Sequence, residues 1–172
     1  MIRDEMNVKE LFIRLDNSTS EFLKLVSSFS EEEINRMPFE NSWSAAQVAD
    51  HVTRSNFSIA KALQLNGTPI NRDPAERVEE LKDIFLDFAT KLRSPSFILP
   101  TQDSYEKKTL MARLQHSIEK ITELSKETDL TEMINHVAFG DITKLEILHF
   151  VIYHTQRHTR QLENILHIVT NK

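Results

Sequence analysis

The chain has 172 residues with 40% hydrophobic content, enough to bury a core without disulfides or a structural metal, and a single domain over residues 1–172 is expected. It has no cysteine, which excludes a disulfide framework, a thiolate metal site and a cysteine nucleophile. A formal net charge of −5, with no Lys/Arg run longer than a pair, lacks the basic patch that phosphate-backbone binding uses, so nucleic acid is a poor partner.

Residues 1–7 carry Arg3 beside Asp4 and Glu5 rather than a short apolar block with a small-residue cleavage site, so no secretion signal is expected. Apolar residues then recur at three- and four-residue intervals, and only Gly67 and Gly140 interrupt as glycines, which predicts an all-α fold. A first helix spans about Val8 to Val26, with Leu11, Leu15, Phe22 and Val26 on one stripe. Ser30 and Glu33 form a capping box for a short turn that Pro38 ends. Ser44 and Gln47 form a second box after Trp43, opening a helix that runs to Leu65 and buries Val48, His51, Ser55 and Ile59. Asp73-Pro74-Ala75-Glu76 predicts the start of a third helix reaching about Arg93. An apolar loop between Pro95 and Pro100 packs on the bundle or closes over it as a lid. A fourth helix covers Ser104 to Lys126, an irregular connection runs from Thr128 to Gly140, and Asp141 caps a last helix ending near Val169. The architecture expected is a four-helix bundle with an additional helix. No window approaches the roughly 18 uninterrupted apolar residues of a membrane span, so a cytoplasmic protein with no membrane partner is expected.

His154 and His158 lie one turn apart, about 40° around the helix axis, on the side that carries Ile147, Val151, Leu162 and Ile165. Two imidazoles so placed can meet one divalent ion at about 2.0–2.1 Å without bending the backbone. Buried histidines need partners, and the alternative is that each hydrogen-bonds separately in the core, with Thr155 or Gln161 at hand. His51, inward on the second helix between Val48 and Ile59, is the third candidate. Three protein ligands with an open fourth position is the pattern of a catalytic rather than a structural zinc site. His149 and His167 lie about 140° and 180° from the pair and cannot join it. His116 falls on a solvated or boundary face, and His136 sits in the irregular connection, packing there or reaching the site mouth. Gln161 either fixes an imidazole tautomer or is a surface residue. Asp50, Glu146 and Glu163 point away from the histidine stripe, with Glu146 read as solvated, and no catalytic acid or base is assigned. Tyr153 and Arg157 lie on a neighbouring face.

The run from Trp43 through Asp50-His51-Val52, then Phe139-Gly140-Asp141, then His154-Thr155-Gln156-Arg157-His158-Thr159-Arg160-Gln161, resembles the DinB-like, or YfiT-like, family of metalloenzymes in order and spacing over nearly the whole chain. The resemblance implies that His51, His154 and His158 hold a divalent transition metal (Zn, Ni, Fe or Mn), with water or substrate as fourth ligand. It further implies a thiol-dependent S-transferase that acts on a small molecule with a low-molecular-weight thiol cofactor, or a metal-dependent hydrolase. A non-catalytic, stress-related metal-binding module is the alternative. Residues 66–133 match no motif, which leaves the substrate open. No Gly-rich phosphate loop, Gly-x-Ser-x-Gly elbow or dinucleotide fingerprint is present, so nucleotide cofactors and serine hydrolysis are unsupported. Apolar positions beyond one stripe, notably Phe150 and Tyr153, point to a homodimer.

Overall fold

The computed structural model describes residues 2–171, with side chains over 8–171, so the sequence reading of 1–7 lies largely outside the described residues. Four long helices form a bundle: α1 (Ile2–Ser28), α3 (Ala45–Leu63), α5 (Lys107–Glu127) and α6 (Lys144–Thr170). α3 packs on α5 and α6, and α1 packs on α6 and α5. Both anticipated capping boxes are present: Ser30 opens the short α2 (Glu31–Asn35) and Ser44 opens α3. In each, the serine hydroxyl takes the backbone N–H of the third helical residue while that residue's side chain takes the N–H of the serine.

The additional helix, α4 (Val78–Leu86), is shorter than the sequence predicts at both ends. Residues 74–77 form turns instead of its first turn. Thr143 donates to the Pro74 carbonyl (2.7 Å) and the Arg77 N–H donates to Glu146 (2.9 Å), which holds this stretch against the start of α6. At the other end the Asp87 carboxylate accepts the N–H of Ala89 (3.0 Å) and the hydroxyl of Thr90 (2.5 Å). A side chain that offers the backbone a local partner in this way competes with helix continuation. Arg157 then gathers the carbonyls of Phe85 (3.2 Å), Asp87 (2.7 Å) and Thr90, fixing the exit.

The connection expected to be irregular contains a hairpin of β1 (Met133–His136) and β2 (Gly140–Thr143), paired antiparallel from Met133 opposite Thr143 to His136 opposite Gly140. A three-residue turn joins them, and Gly140 takes φ 64°, a left-handed conformation that costs glycine little. The cap of α6 is Thr143, not Asp141: its hydroxyl accepts the Glu146 N–H (3.0 Å) and Glu146 accepts the Thr143 N–H (2.9 Å).

The apolar core is split in two. One cluster holds Leu11, Leu15, Ile59, Leu63, Ile121, Ile147 and Val151, and the other holds Phe22, Val26, Val48, Val52, Leu114, Leu162 and Ile165. Between them each long helix contributes buried polar residues: Ser18 and Thr19 from α1, Ser55 and Asn56 from α3, Ser117 from α5, and His154, Thr155, His158 and Thr159 from α6. Asn56 donates to Ser117 across the bundle (3.1 Å), and most hydroxyls return to their own helix carbonyls, as buried polar groups require. The histidines therefore sit in a polar belt, not at random in a hydrophobic stripe. Phe150 (5% exposed) and Tyr153 (2%) are buried within the chain and offer no face to a second copy.

Candidate metal centre

α3 and α6 pack directly, so an inward histidine on one helix meets an inward pair on the other. His51 Nε2 lies 3.0 Å from His154 Nε2, and His158 Nε2 lies 3.1 Å from the same atom. The three rings form a buried cluster whose ligand atoms all fall within 4.8 Å of one another, a group that could hold a metal ion. An ion with about 2.05 Å bonds and ligand angles between about 90° and 110° separates its nitrogens by about 2.9–3.4 Å, which brackets both spacings.

The outer nitrogens decide which tautomers are present. His51 donates from Nδ1 to the carbonyl of Ile98 (2.9 Å), and His158 donates from Nδ1 to Gln161 Oε1 (2.8 Å). Each neutral ring then presents a bare lone pair on Nε2, and both lone pairs face His154 Nε2. A single His154 proton can satisfy only one of them, so separate core hydrogen bonds do not balance this cluster. A cation among the three nitrogens does, and the donor set of three neutral imidazoles with oriented outer N–H groups fits a divalent transition metal. The Ile98 carbonyl comes from the 3-10 turn Ser96–Ile98, so the apolar loop packs on the bundle and orients the His51 ring as well.

Burial keeps these rings neutral. It lowers His51 despite the Ile98 hydrogen bond, holds His154 well below the ordinary imidazole value with help from its two neighbours, and lowers His158 to about 3. His149, outside the centre, is lowered to about 4, again chiefly by burial, with Arg14 adding to it. The unfolded chain then binds more protons than the folded one below an unfolded value near 6.5. The metal-free protein should lose stability as pH falls from about 6.5 toward 3–4, by up to about 1.4 kcal/mol per pH unit for each such ring. Urea midpoints taken at pH 7.5, 6 and 4.5 check this, and a flat profile would contradict the buried neutral state.

A cavity of about 250 Å³ opens on the centre, lined by all three histidines, Ile59, Phe85, Phe139, Phe150, Arg157 and His136. Phe150 stacks on His154 (ring centroids 5.0 Å apart), Phe139 lies 4.7 Å from Phe150, and His136 stacks on Phe139 at 5.1 Å. Trp43 packs 5.2 Å from the His51 ring, as an anchor at the start of α3. His116 is exposed and His167 is exposed, and neither approaches the centre. Asp50 is buried, away from the cavity, taking the Tyr105 hydroxyl (3.0 Å) and Arg113 (3.1 Å). Glu163 is exposed. Glu146 corrects the sequence reading: its side chain is 0% exposed and accepts two hydrogen bonds from Arg72 (2.6 and 2.8 Å). Nothing in its spacing signalled burial except the Thr143-x-x-Glu146 capping pattern. The phenylalanines of the cavity wall carried no motif of their own.

The profile of the DinB superfamily matches residues 14–162, which includes all three histidines. The uncharacterized protein YuaE of Bacillus subtilis (strain 168) is 24% identical over 144 residues, covering 81% of this chain and 87% of YuaE. Among solved structures, YfiT from Bacillus subtilis, described as a probable metal-dependent hydrolase with an unusual four-helix bundle topology, superposes with a TM-score of 0.60 at 14% identity, over 92% of this chain and 85% of YfiT. TT2238, a four-helix bundle protein, gives a TM-score of 0.55 at 19% identity, over 91% of this chain and 98% of its own. At these identities the two structures speak for the fold. No helix among the described residues is long and apolar enough to cross a membrane.

Proposed function

This chain belongs to the DinB superfamily, and from that premise we propose that it is a metal-dependent hydrolase of a small molecule, with His51, His154 and His158 as the metal ligands. The observation that carries this reading is the pair of Nε2 lone pairs, on His51 and His158, aimed at a third imidazole that has one proton to offer. A divalent metal held there supplies Lewis acidity, lowering the pKa of a bound water or thiol and polarising a carbonyl. The residues supply the rest. Ile98 and Gln161 fix two of the imidazoles, while Phe85, Phe139 and Phe150 give the cavity an apolar wall on which a hydrocarbon group can pack. YfiT's description as a probable metal-dependent hydrolase favours water as the activated group.

The thiol-dependent S-transferase expected from the sequence resemblance uses the same centre and is the second arm of the test. Purified protein loaded in turn with Zn, Ni, Fe or Mn is assayed on a panel of aryl and short-chain esters and amides, then on electrophiles with cysteine-type thiols. Metal-dependent hydrolysis abolished by chelator supports the proposal. Thiol consumption without hydrolysis would replace it with transfer, and bound metal with neither activity would favour a non-catalytic metal-binding module. Gln161→Leu should weaken metal binding by about tenfold, because it removes the acceptor that orients His158. A competition titration with a zinc indicator measures this, and an unchanged affinity would make Gln161 incidental.

A small-molecule substrate, rather than nucleic acid or a membrane, agrees with the net charge of −5 and the cavity of about 250 Å³. Cytoplasmic residence is proposed from the cysteine-free composition. A homodimer, also proposed, would have to use exposed apolar residues such as Ile84 and Phe88. Sedimentation velocity at micromolar protein decides that point.

A further inference from the structure

His136 is the one histidine of the cavity wall that does not belong to the metal cluster. It ends β1 beside the tight turn, and it is 7% exposed. The backbone N–H of Ala138 donates to its Nδ1 (3.1 Å), and the Phe139 N–H donates to its carbonyl (3.1 Å), so both the ring and its backbone are fixed by the turn. A neutral ring that accepts at Nδ1 carries its proton on Nε2. That Nε2–H has no hydrogen-bond partner among the described residues, and it is not one of the fully buried unpaired atoms, so it stays open to a partner from outside the chain. Burial lowers the His136 pKa, so the ring stays a neutral donor at neutral pH. Stacked on Phe139, it stands at the end of the aromatic wall that runs through Phe150 to His154.

We propose that His136 donates a hydrogen bond from Nε2 to an oxygen of the bound substrate, and that the cavity takes small aromatic or branched acyl compounds. The inference rests on the hydrolase reading for its chemistry, but its binding half stands on the cavity alone. Beside the serines and the two arginines, Arg93 and Arg157, that also line it, the cavity offers an acyl group phenylalanine and isoleucine side chains for the hydrocarbon part and a fixed neutral donor for the oxygen. A neutral imidazole N–H that meets a carbonyl oxygen beside an aromatic wall is less exposed to competition from water than one on an open surface.

Benzoate is the probe, used on protein of measured zinc content. Labelling histidine with nitrogen-15 should show the His136 proton on Nε2, with that resonance shifting as benzoate is added. His136→Phe should weaken benzoate binding by about tenfold in calorimetry while zinc content stays at the wild-type level. His136→Gln, whose amide N–H falls near the position of Nε2, should bind within about threefold of wild type. A proton on Nδ1, no benzoate binding by the wild type, equal affinity in His136→Phe, or no rescue by Gln would each overturn the proposal. Zinc loss in His136→Phe would also overturn it, by making the ring a support of the centre. A wild-type protein that binds benzoate through His136 but takes up no zinc would instead overturn the metal reading and leave this one standing.

Discussion

His51→Ala, His154→Ala and His158→Ala should each lower metal affinity by more than about 100-fold, whereas His149→Ala and His167→Ala leave it at the wild-type level. Loss of a group that merely orients a ligand costs about 10–100-fold, and loss of a ligand costs more. His149 and His167 share helix α6 with His154 and His158 but point elsewhere, so they control for composition and helix stability. Circular dichroism should show all five variants helical, because the two apolar clusters flank the centre without passing through it. The low proton affinity of the buried imidazoles adds a second expectation. Protons compete for these nitrogens only below the ordinary imidazole range, so metal should remain bound at pH 6 and be released at lower pH. Metal content after identical purification, read alongside the titration, is the measurement; equal occupancy in His154→Ala and wild type would remove the site assignment.

The long helices and the histidine cluster were legible because both depend on local rules. Ser44 with Gln47 sets the start of α3, hence the rotation at which His51 enters the bundle, and a four-residue spacing puts His154 and His158 on one face. What the sequence hid was decided at a distance. The end of α4 depends on Arg157, some seventy positions away, which collects the carbonyls of 85, 87 and 90. The hairpin is only four residues per strand, too short for alternation to stand out, although Gly140 after a three-residue turn was a usable signal. Burial of Glu146 follows from Arg72, which no periodicity connects to it. The polar belt lay in view as Ser18-Thr19, Ser55-Asn56, Ser117 and Thr155, each interrupting an apolar stripe, but its meaning emerges only when the four helices align.

Arg72→Met should destabilise the protein by about 3 kcal/mol, the largest single loss expected outside the apolar core. Glu146 lies two turns before His154 and caps α6, so its carboxylate fixes where the helix that carries His154 and His158 begins. Burial alone would push its pKa up, yet the Arg72 bonds and the N–H groups of Thr143 and Arg77 hold it below the ordinary glutamate range. A carboxylate lowered in the folded state contributes stability that is present above its unfolded value and lost as pH falls through the folded one. Removing Arg72 leaves the charge buried without its bidentate partner, which is the costly way to break such a pair. Lys82→Met, breaking the exposed pair with Glu79, should leave the urea midpoint close to wild type, because a solvated ion pair contributes little. The pH dependence separates charge from packing. In Arg72→Met the penalty should shrink below about pH 4, where a protonated Glu146 carries no unpaired charge, and Arg72→Met combined with Glu146→Gln should recover part of the loss at neutral pH. Urea unfolding of the two single variants and the double variant at pH 7 and pH 4 decides it. A pH-independent loss would mean that Arg72 acts by packing its stem on the hairpin side of α6 rather than by neutralising the cap.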